Sequence, residues 1–131
     1  MRESLVECYL HLIWSTWDRQ PVLTSDIEVP VYACIRAECG ELKVEVLEIG
    51  GTENHVHLLV RIPATLSIAT LAKQVKGASS HLVTHKYKRP YEFKWQGAYA
   101  AYSVSRSMLS SVKAYISNQK VHHATDIDPE F

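Results

Sequence analysis

The stretch LKVEVLEIGGTENHVHLLVRI, residues 42–62, decides the fold. Over residues 42–49 apolar and charged side chains alternate, the pattern of a strand with one buried face. Residues 54–62 form a second strand and Pro63 stops it. Gly50-Gly51-Thr52-Glu53 reads as the turn between them, so the pair is expected to be a hairpin. In the second strand a period of two puts Val56, Leu58, Val60 and Ile62 on one face, and His55, His57, Leu59 and Arg61 on the other. The first row is suited to a core. The second sets two imidazoles side by side.

Outward from this hairpin, residues 5–16 (LVECYLHLIWST) are rich in apolar, aromatic and β-branched types and read as another strand. The loop TWDRQPVLTSD follows, with a helix cap expected at Thr24 or Ser25. A helix is expected over residues 27–40, stopped by Gly40, with Pro30 near its start. On the other side, Ser67 can cap a helix running to about residue 88, where Arg89-Pro90 ends it. YEFKWQG reads as a loop, residues 98–104 as a fourth strand, and Ser105 as the cap of a last helix to about residue 122. The order β-α-β-β-α-β-α with right-handed crossovers predicts an α+β, ferredoxin-like fold. Its four-stranded antiparallel sheet would carry two packed helices, plus a C-terminal helix. No repeat or long linker divides the chain, so residues 1–131 are expected to form a single domain.

That fold hosts many activities, so function has to come from particular residues. The formal net charge is zero, but the charges are unevenly placed. Residues 1–60 hold four Lys/Arg against ten Asp/Glu, whereas residues 61–120 hold ten Lys/Arg against Glu92 alone. A basic half-molecule suits a polyanion, although solvated helix faces would give the same count. The three cysteines, Cys8, Cys34 and Cys39, contain no C-x-x-C pair, which argues against a disulfide framework or a thiolate zinc site. The apolar runs are too short to span a bilayer, and Arg2, Glu3 and Glu7 interrupt any signal-like start, so a cytoplasmic protein without a membrane partner is expected.

Two neutral imidazoles two residues apart on a strand can chelate one ion. His55 and His57 have that spacing, but so do ordinary, partly exposed strand histidines. In the last helix Tyr115 and Gln119 are four residues apart and share a face beside the apolar stripe of Leu109, Val112 and Ile116. By itself this is also the place of an ordinary amphipathic tyrosine. Together the pieces allow more. A metal can polarise a phosphate and orient it toward a phenol, whose reference pKa of about 10 otherwise makes it a poor nucleophile. Two His and one Gln oxygen would fill three positions and leave others for phosphate and water. Such a set suits Mg²⁺ or Mn²⁺ without choosing between them.

The order of these residues resembles the single-tyrosine HUH transposases of the smallest insertion sequences and their REP-associated relatives. HLIWSTWDRQPVLT is similar to that family's first strand and loop, and NHVHLLV to its His-hydrophobic-His motif. WQGAYAAYSVSRS is similar to the approach to its last helix, and YISNQKVHH to its nucleophile helix. The resemblance covers nearly the whole chain. It implies a ferredoxin-like domain whose C-terminal helix carries Tyr115 as nucleophile, with His55, His57 and Gln119 as metal ligands. It implies a homodimer whose terminal helices can carry tyrosine to the partner's histidines, so that active sites can be shared. It also implies cleavage and rejoining of hairpin-bearing single-stranded DNA at element ends, through a covalent 5′-phosphotyrosine and with no nucleotide cofactor.

One departure is Asn54, which precedes the first histidine where an aspartate is common in that family and puts the orientation of that ligand in question. His122 and His123 match the pattern without an implied metal role. Lys76, Ser79, Ser80 and Arg106 are candidate phosphate contacts, and Trp17, Arg19 and Trp95 candidates to stack on or clamp unpaired bases. His11, His81 and His85 have no evident partner. The competing readings are a domesticated, non-cleaving hairpin-binding protein of the same lineage, and a metal or small-ligand sensor unrelated to DNA.

Overall fold

The computed structural model describes residues 4–120. The elements run β1 (Cys8–Ser15), α1 (Ser25–Glu41), β2 (Glu45–Thr52), β3 (His55–Ile62), α2 (Ile68–Leu82), β4 (Ala100–Val104) and α3 (Leu109–Ser117). The sheet has the order β2-β3-β1-β4 and is antiparallel throughout. This is the expected ferredoxin-like α+β arrangement with a third helix at its end.

The core follows from the two periodicities. Leu10, Leu12 and Trp14 of β1 and Val56, Leu58, Val60 and Ile62 of β3 point to one side of the sheet. There they meet Ile27, Val31, Ile35 and Cys39, which recur every fourth residue along α1, and Leu71, Ala72 and Val75 of α2. The opposite face of β3 is buried as well. His55, His57 and Leu59 are at most 2% exposed, because α3 lies across β2 and β3 with Ile116 beneath it.

Several boundaries differ from expectation. α1 starts at Ser25, which moves Pro30 into its second turn, and it runs through Gly40. Lys43 takes the left-handed conformation (φ 60°) that ends the helix, with Val44 N–H donating back to the Cys39 carbonyl at 2.8 Å. α2 ends at Leu82 and continues as a wider π-type turn over Val83–Tyr87. The last α-helix begins after a short 3₁₀ turn at Arg106–Met108 and ends at Ser117. Ser67 does cap α2, accepting from Thr70 N–H at 3.1 Å, whereas Ser105 makes no side-chain cap.

The hairpin correction matters most for the site. Gly50, Gly51 and Thr52 are not a turn but the end of β2, and the chain reverses at Glu53 and Asn54. Val46 pairs with Val60 and Glu48 with Leu59, so Leu47 is a bulge residue. The bulge shifts the alternation by one. Ile49 thereby keeps the core face opposite Leu58, while Gly50 and Thr52 come to lie opposite His57 and His55 on the other face.

Candidate active site

β3 holds the two histidines and each ring is fixed by a different neighbour. His55 Nδ1 lies 2.8 Å from Asn54 Oδ1 and 3.0 Å from Thr52 Oγ1, and Thr52 Oγ1 also donates to Asn54 Oδ1 at 3.0 Å. Amide oxygens can only accept, and both ring nitrogens of His55 face one. The Asn54 contact is the shorter, 2.8 Å against 3.3 Å to Gln119 Oε1, which favours the neutral ring's proton on Nδ1 and the lone pair on Nε2. Asn54 therefore does with a neutral amide the orienting for which an aspartate would be suited. His57 Nδ1 lies 2.8 Å from Nε2 of His11, a β1 residue one step diagonally across the sheet. Burial pushes the His11 pKa down to about 4, so the ring is neutral at neutral pH.

α3 and the residues after it bring the remaining groups to these rings. The Tyr115 ring stands edge-on to His57 with centroids 5.7 Å apart, and to His11 at 6.3 Å. Tyr115 keeps 39% of its surface exposed, so its site is open to a ligand. Gln119 is buried and follows the end of α3 rather than sharing a continuous helix with Tyr115. Its Nε2 donates to the Tyr115 carbonyl at 3.2 Å, which turns Oε1 toward His55 Nε2 at 3.3 Å. Lys120 secures this segment by donating to the Gly51 carbonyl at 3.1 Å and pairing with Glu28 of α1 at 2.5 Å.

The donor set fits a divalent cation. With the His55 proton on Nδ1, the unprotonated His55 Nε2 and the Gln119 carbonyl oxygen face one another as two acceptors, an arrangement that a cation between them would relieve. His57, with Nδ1 engaged by His11, would offer Nε2. Among the described residues no group of three or more His, Cys, Asp or Glu side chains is placed to hold a metal, so an ion here would depend on the amide oxygen. Neutral N/O ligands of this kind suit hard or borderline ions that keep water or phosphate in their other positions.

A model of IS200-like transposases matches residues 4–119. The chain belongs to that family of single-tyrosine transposases. This transposase is 27% identical over 114 residues to the ISDra2 transposase TnpA of Deinococcus radiodurans, covering 83% of this chain and 81% of the relative. Its fold matches a candidate transposase from D. radiodurans R1 with a TM-score of 0.71 at 25% identity, over 91% of this chain and 95% of the other. It also matches a REP-associated tyrosine transposase bound to a REP hairpin, with a TM-score of 0.71 at 13% identity over 94% and 73% of the two chains. That last likeness shows the shared fold.

The other candidate DNA contacts of the transposase divide into two groups. Trp95 and Ser79 belong to the core. Trp95 packs edge-on against Trp14 and Phe93, and its Nε1 donates to Ser79 Oγ at 2.9 Å, so neither side chain is placed to meet a base or phosphate. Lys76, half-buried, donates to the carbonyls of Gln96 and Ala98 at 2.7 and 3.3 Å and ties down the loop before β4. Ser80 Oγ donates to the Gly77 carbonyl. Trp17 remains on the surface at 50% exposure with Lys94 Nζ 4.2 Å above its ring. Arg19 is half-buried in the same loop, and Arg106 is exposed 3.7 Å from Glu7.

His122 and His123 lie outside the described residues, and His81 and His85 lie beside one another with ring centroids 4.1 Å apart. Thr52, Gly50 and His11 are the parts of the site that sequence reasoning missed. All three depend on strand register, which only the pairing of β1, β2 and β3 reveals. Among the described residues no helix is long and apolar enough to cross a membrane.

Proposed function

We propose that this transposase cuts and rejoins hairpin-bearing single-stranded DNA through a covalent 5′-phosphotyrosine on Tyr115, with His55, His57 and Gln119 holding a divalent ion, Mg²⁺ or Mn²⁺. The observation that carries the reading is the convergence of four side chains from β3 and the C-terminal segment. Tyr115 stands at the rim of the site, 5.7 Å from His57 between ring centroids, and Gln119 Oε1 faces His55 Nε2. A relative of the same fold was solved on a REP hairpin, which supports hairpin DNA as the substrate class.

The bound ion would withdraw charge from a non-bridging phosphate oxygen. Tyr115 Oη then forms the bond to phosphorus and the bond to the 3′ oxygen breaks. The phenol proton leaves to solvent and the departing oxygen takes one up. The phosphodiester energy is kept in the tyrosyl ester, so a second 3′ hydroxyl can reverse the step without a nucleotide cofactor. The chain's contribution is to hold the imidazoles in their ligating tautomer and to present Tyr115 on a helix seated on the sheet.

The homodimer implied by the family resemblance belongs to this reading, with each Tyr115 beside the His57 of its own chain in the arrangement described here. The test uses a single-stranded oligonucleotide with a hairpin and a flanking cleavage segment, with and without Mn²⁺. A covalent adduct stable to SDS is expected from the wild type, and none from Tyr115→Phe or from metal-depleted protein. An adduct in Tyr115→Phe would refute the nucleophile. Tight hairpin binding by the wild type with no adduct under any metal would favour a non-cleaving binder. Mixing Tyr115→Phe with His57→Ala subunits separates the two placements, since restored activity requires sites shared between chains.

A further inference from the structure

We propose that His11 is a positioning residue for His57, acting as the acceptor that keeps its proton on Nδ1 and so leaves Nε2 able to bind a metal. The proposal rests on the reading of His57 as a metal ligand. Register supplies the geometry. Ile13 is directly opposite His57 across the β1–β3 ladder, and His11, two residues earlier on the same face, reaches it diagonally. The two rings lie 5.0 Å apart between centroids and tilted by 34°, with His11 Nε2 and His57 Nδ1 at 2.8 Å.

One proton lies between these two nitrogens, and its placement has two outcomes. If His11 Nε2 donates, the neutral His57 ring must carry its own proton on Nε2, and that nitrogen has no lone pair to give. If His57 Nδ1 donates, Nε2 is a ligand. Only the second arrangement agrees with a metal site, and it requires His11 to be protonated on Nδ1. The same logic operates next door, where Asn54 Oδ1 accepts from His55 Nδ1. Each ligand imidazole thus has its own acceptor, one amide oxygen and one imidazole nitrogen, neither bringing charge. Such outer partners fix ring orientation and typically affect metal affinity by about tenfold to a hundredfold. His11 also faces the Tyr115 ring edge-on at 6.3 Å, so the residue that orients the ligand borders the nucleophile too.

Two variants separate this role from packing. His11→Gln keeps an acceptor within reach of Nδ1, and His11→Phe keeps a flat ring without one. Long-range ¹H–¹⁵N NMR of the metal-free protein reads the His57 tautomer directly. Nδ1–H is expected in the wild type and in His11→Gln, and a mixture or Nε2–H in His11→Phe. Titration with Mn²⁺ alone should show affinity lost by about tenfold to a hundredfold in His11→Phe and largely retained in His11→Gln.

An Nε2–H tautomer for His57 in the wild type would overturn the proposal, and this reading needs no variant to fold. So would equal loss of affinity in both variants, or none in His11→Phe. The metal reading fails separately, if His57→Ala binds Mn²⁺ as the wild type does while the wild-type tautomer is still Nδ1–H.

Discussion

Gly50 of β2 is the seat of α3: a Cβ at this position would stand 2.6 Å from the main-chain carbonyl oxygen of Ile116. The obstructing atom is backbone, so no rotamer change can clear it. A Gly50→Ala protein must lift or tilt α3, and the residue next to Ile116 is Tyr115. Adduct formation is expected to fall by about a hundredfold for a displacement of about 1 Å. Stability should fall by only about 1–3 kcal/mol, the usual cost of overpacking. Gly77→Ala is the control, because a Cβ there meets nothing within 4 Å and the helix should gain about 1 kcal/mol. Single-turnover adduct rates alongside melting curves check both. Gly50→Ala with an unchanged rate would show that Tyr115 does not depend on this contact.

The facing acceptors His55 Nε2 and Gln119 Oε1, 3.3 Å apart, predict that the metal acts on the fold as well as on the reaction. A divalent ion that binds only the native state, at a hundred times its Kd, adds about 2.7 kcal/mol. For a domain of this size that raises Tm by roughly 10 °C. Adding EDTA should remove the increment. Gln119→Ala should lose most of it, even in the absence of DNA. Scanning calorimetry with and without Mn²⁺ measures this, and an equal rise in the wild type and in a His55→Ala, Gln119→Ala double variant would rule out the assigned ligand set.

Much of this was legible in the sequence for a definite reason. Val56, Leu58, Val60 and Ile62 alternate with His55 and His57, and local alternation determines faces wherever it is unbroken. The element order then limited the topology to the observed ferredoxin-like one. The errors fall where the alternation is broken or a contact is distant in sequence. The Leu47 bulge cannot be distinguished from a strand end by pattern, so the Gly-Gly pair looked like a turn. Lys43 ends α1 in a conformation that composition would assign to Gly40. His11 and His57 are separated by 46 positions, and nothing local to either announces the other. Trp95 carried the signature of a loop aromatic, but an isolated bridge to Thr16 draws it into the core.

The two tryptophans considered for DNA contact are expected to behave oppositely. Ser79→Ala deprives the buried Trp95 Nε1–H of its acceptor, which costs about 1–3 kcal/mol of stability and leaves hairpin affinity unchanged in protein that remains folded. Trp17→Ala removes an exposed ring beneath Lys94 and should leave stability within about 0.5 kcal/mol. If Trp17 stacks on a base, affinity for the hairpin drops by about 1–3 kcal/mol. Denaturant melts paired with fluorescence anisotropy separate the two effects. Unchanged binding in Trp17→Ala would remove that loop from the DNA interface.

His11 also makes the metal-free protein sensitive to acid in a direction that can be worked out. Its folded pKa is near 4 against 6.5 for the free side chain, because burial disfavours the charged ring. Between those values the unfolded chain binds more protons than the native one, so stability rises with pH. The contribution is fully present above pH 6.5 and is lost as pH falls from 6.5 to about 4. The whole shift would correspond to about 3 kcal/mol at 1.36 kcal/mol per unit, and partial wetting of the ring reduces this to on the order of 1–2 kcal/mol. His11→Gln has no such group, so its stability should lose less than that of the wild type between pH 7 and pH 4.5. Urea unfolding across this range, in EDTA to keep metal out, gives the two slopes. Parallel slopes would mean that His11 is protonated in the native state at these pH values, in conflict with its burial beside His57 and Tyr115.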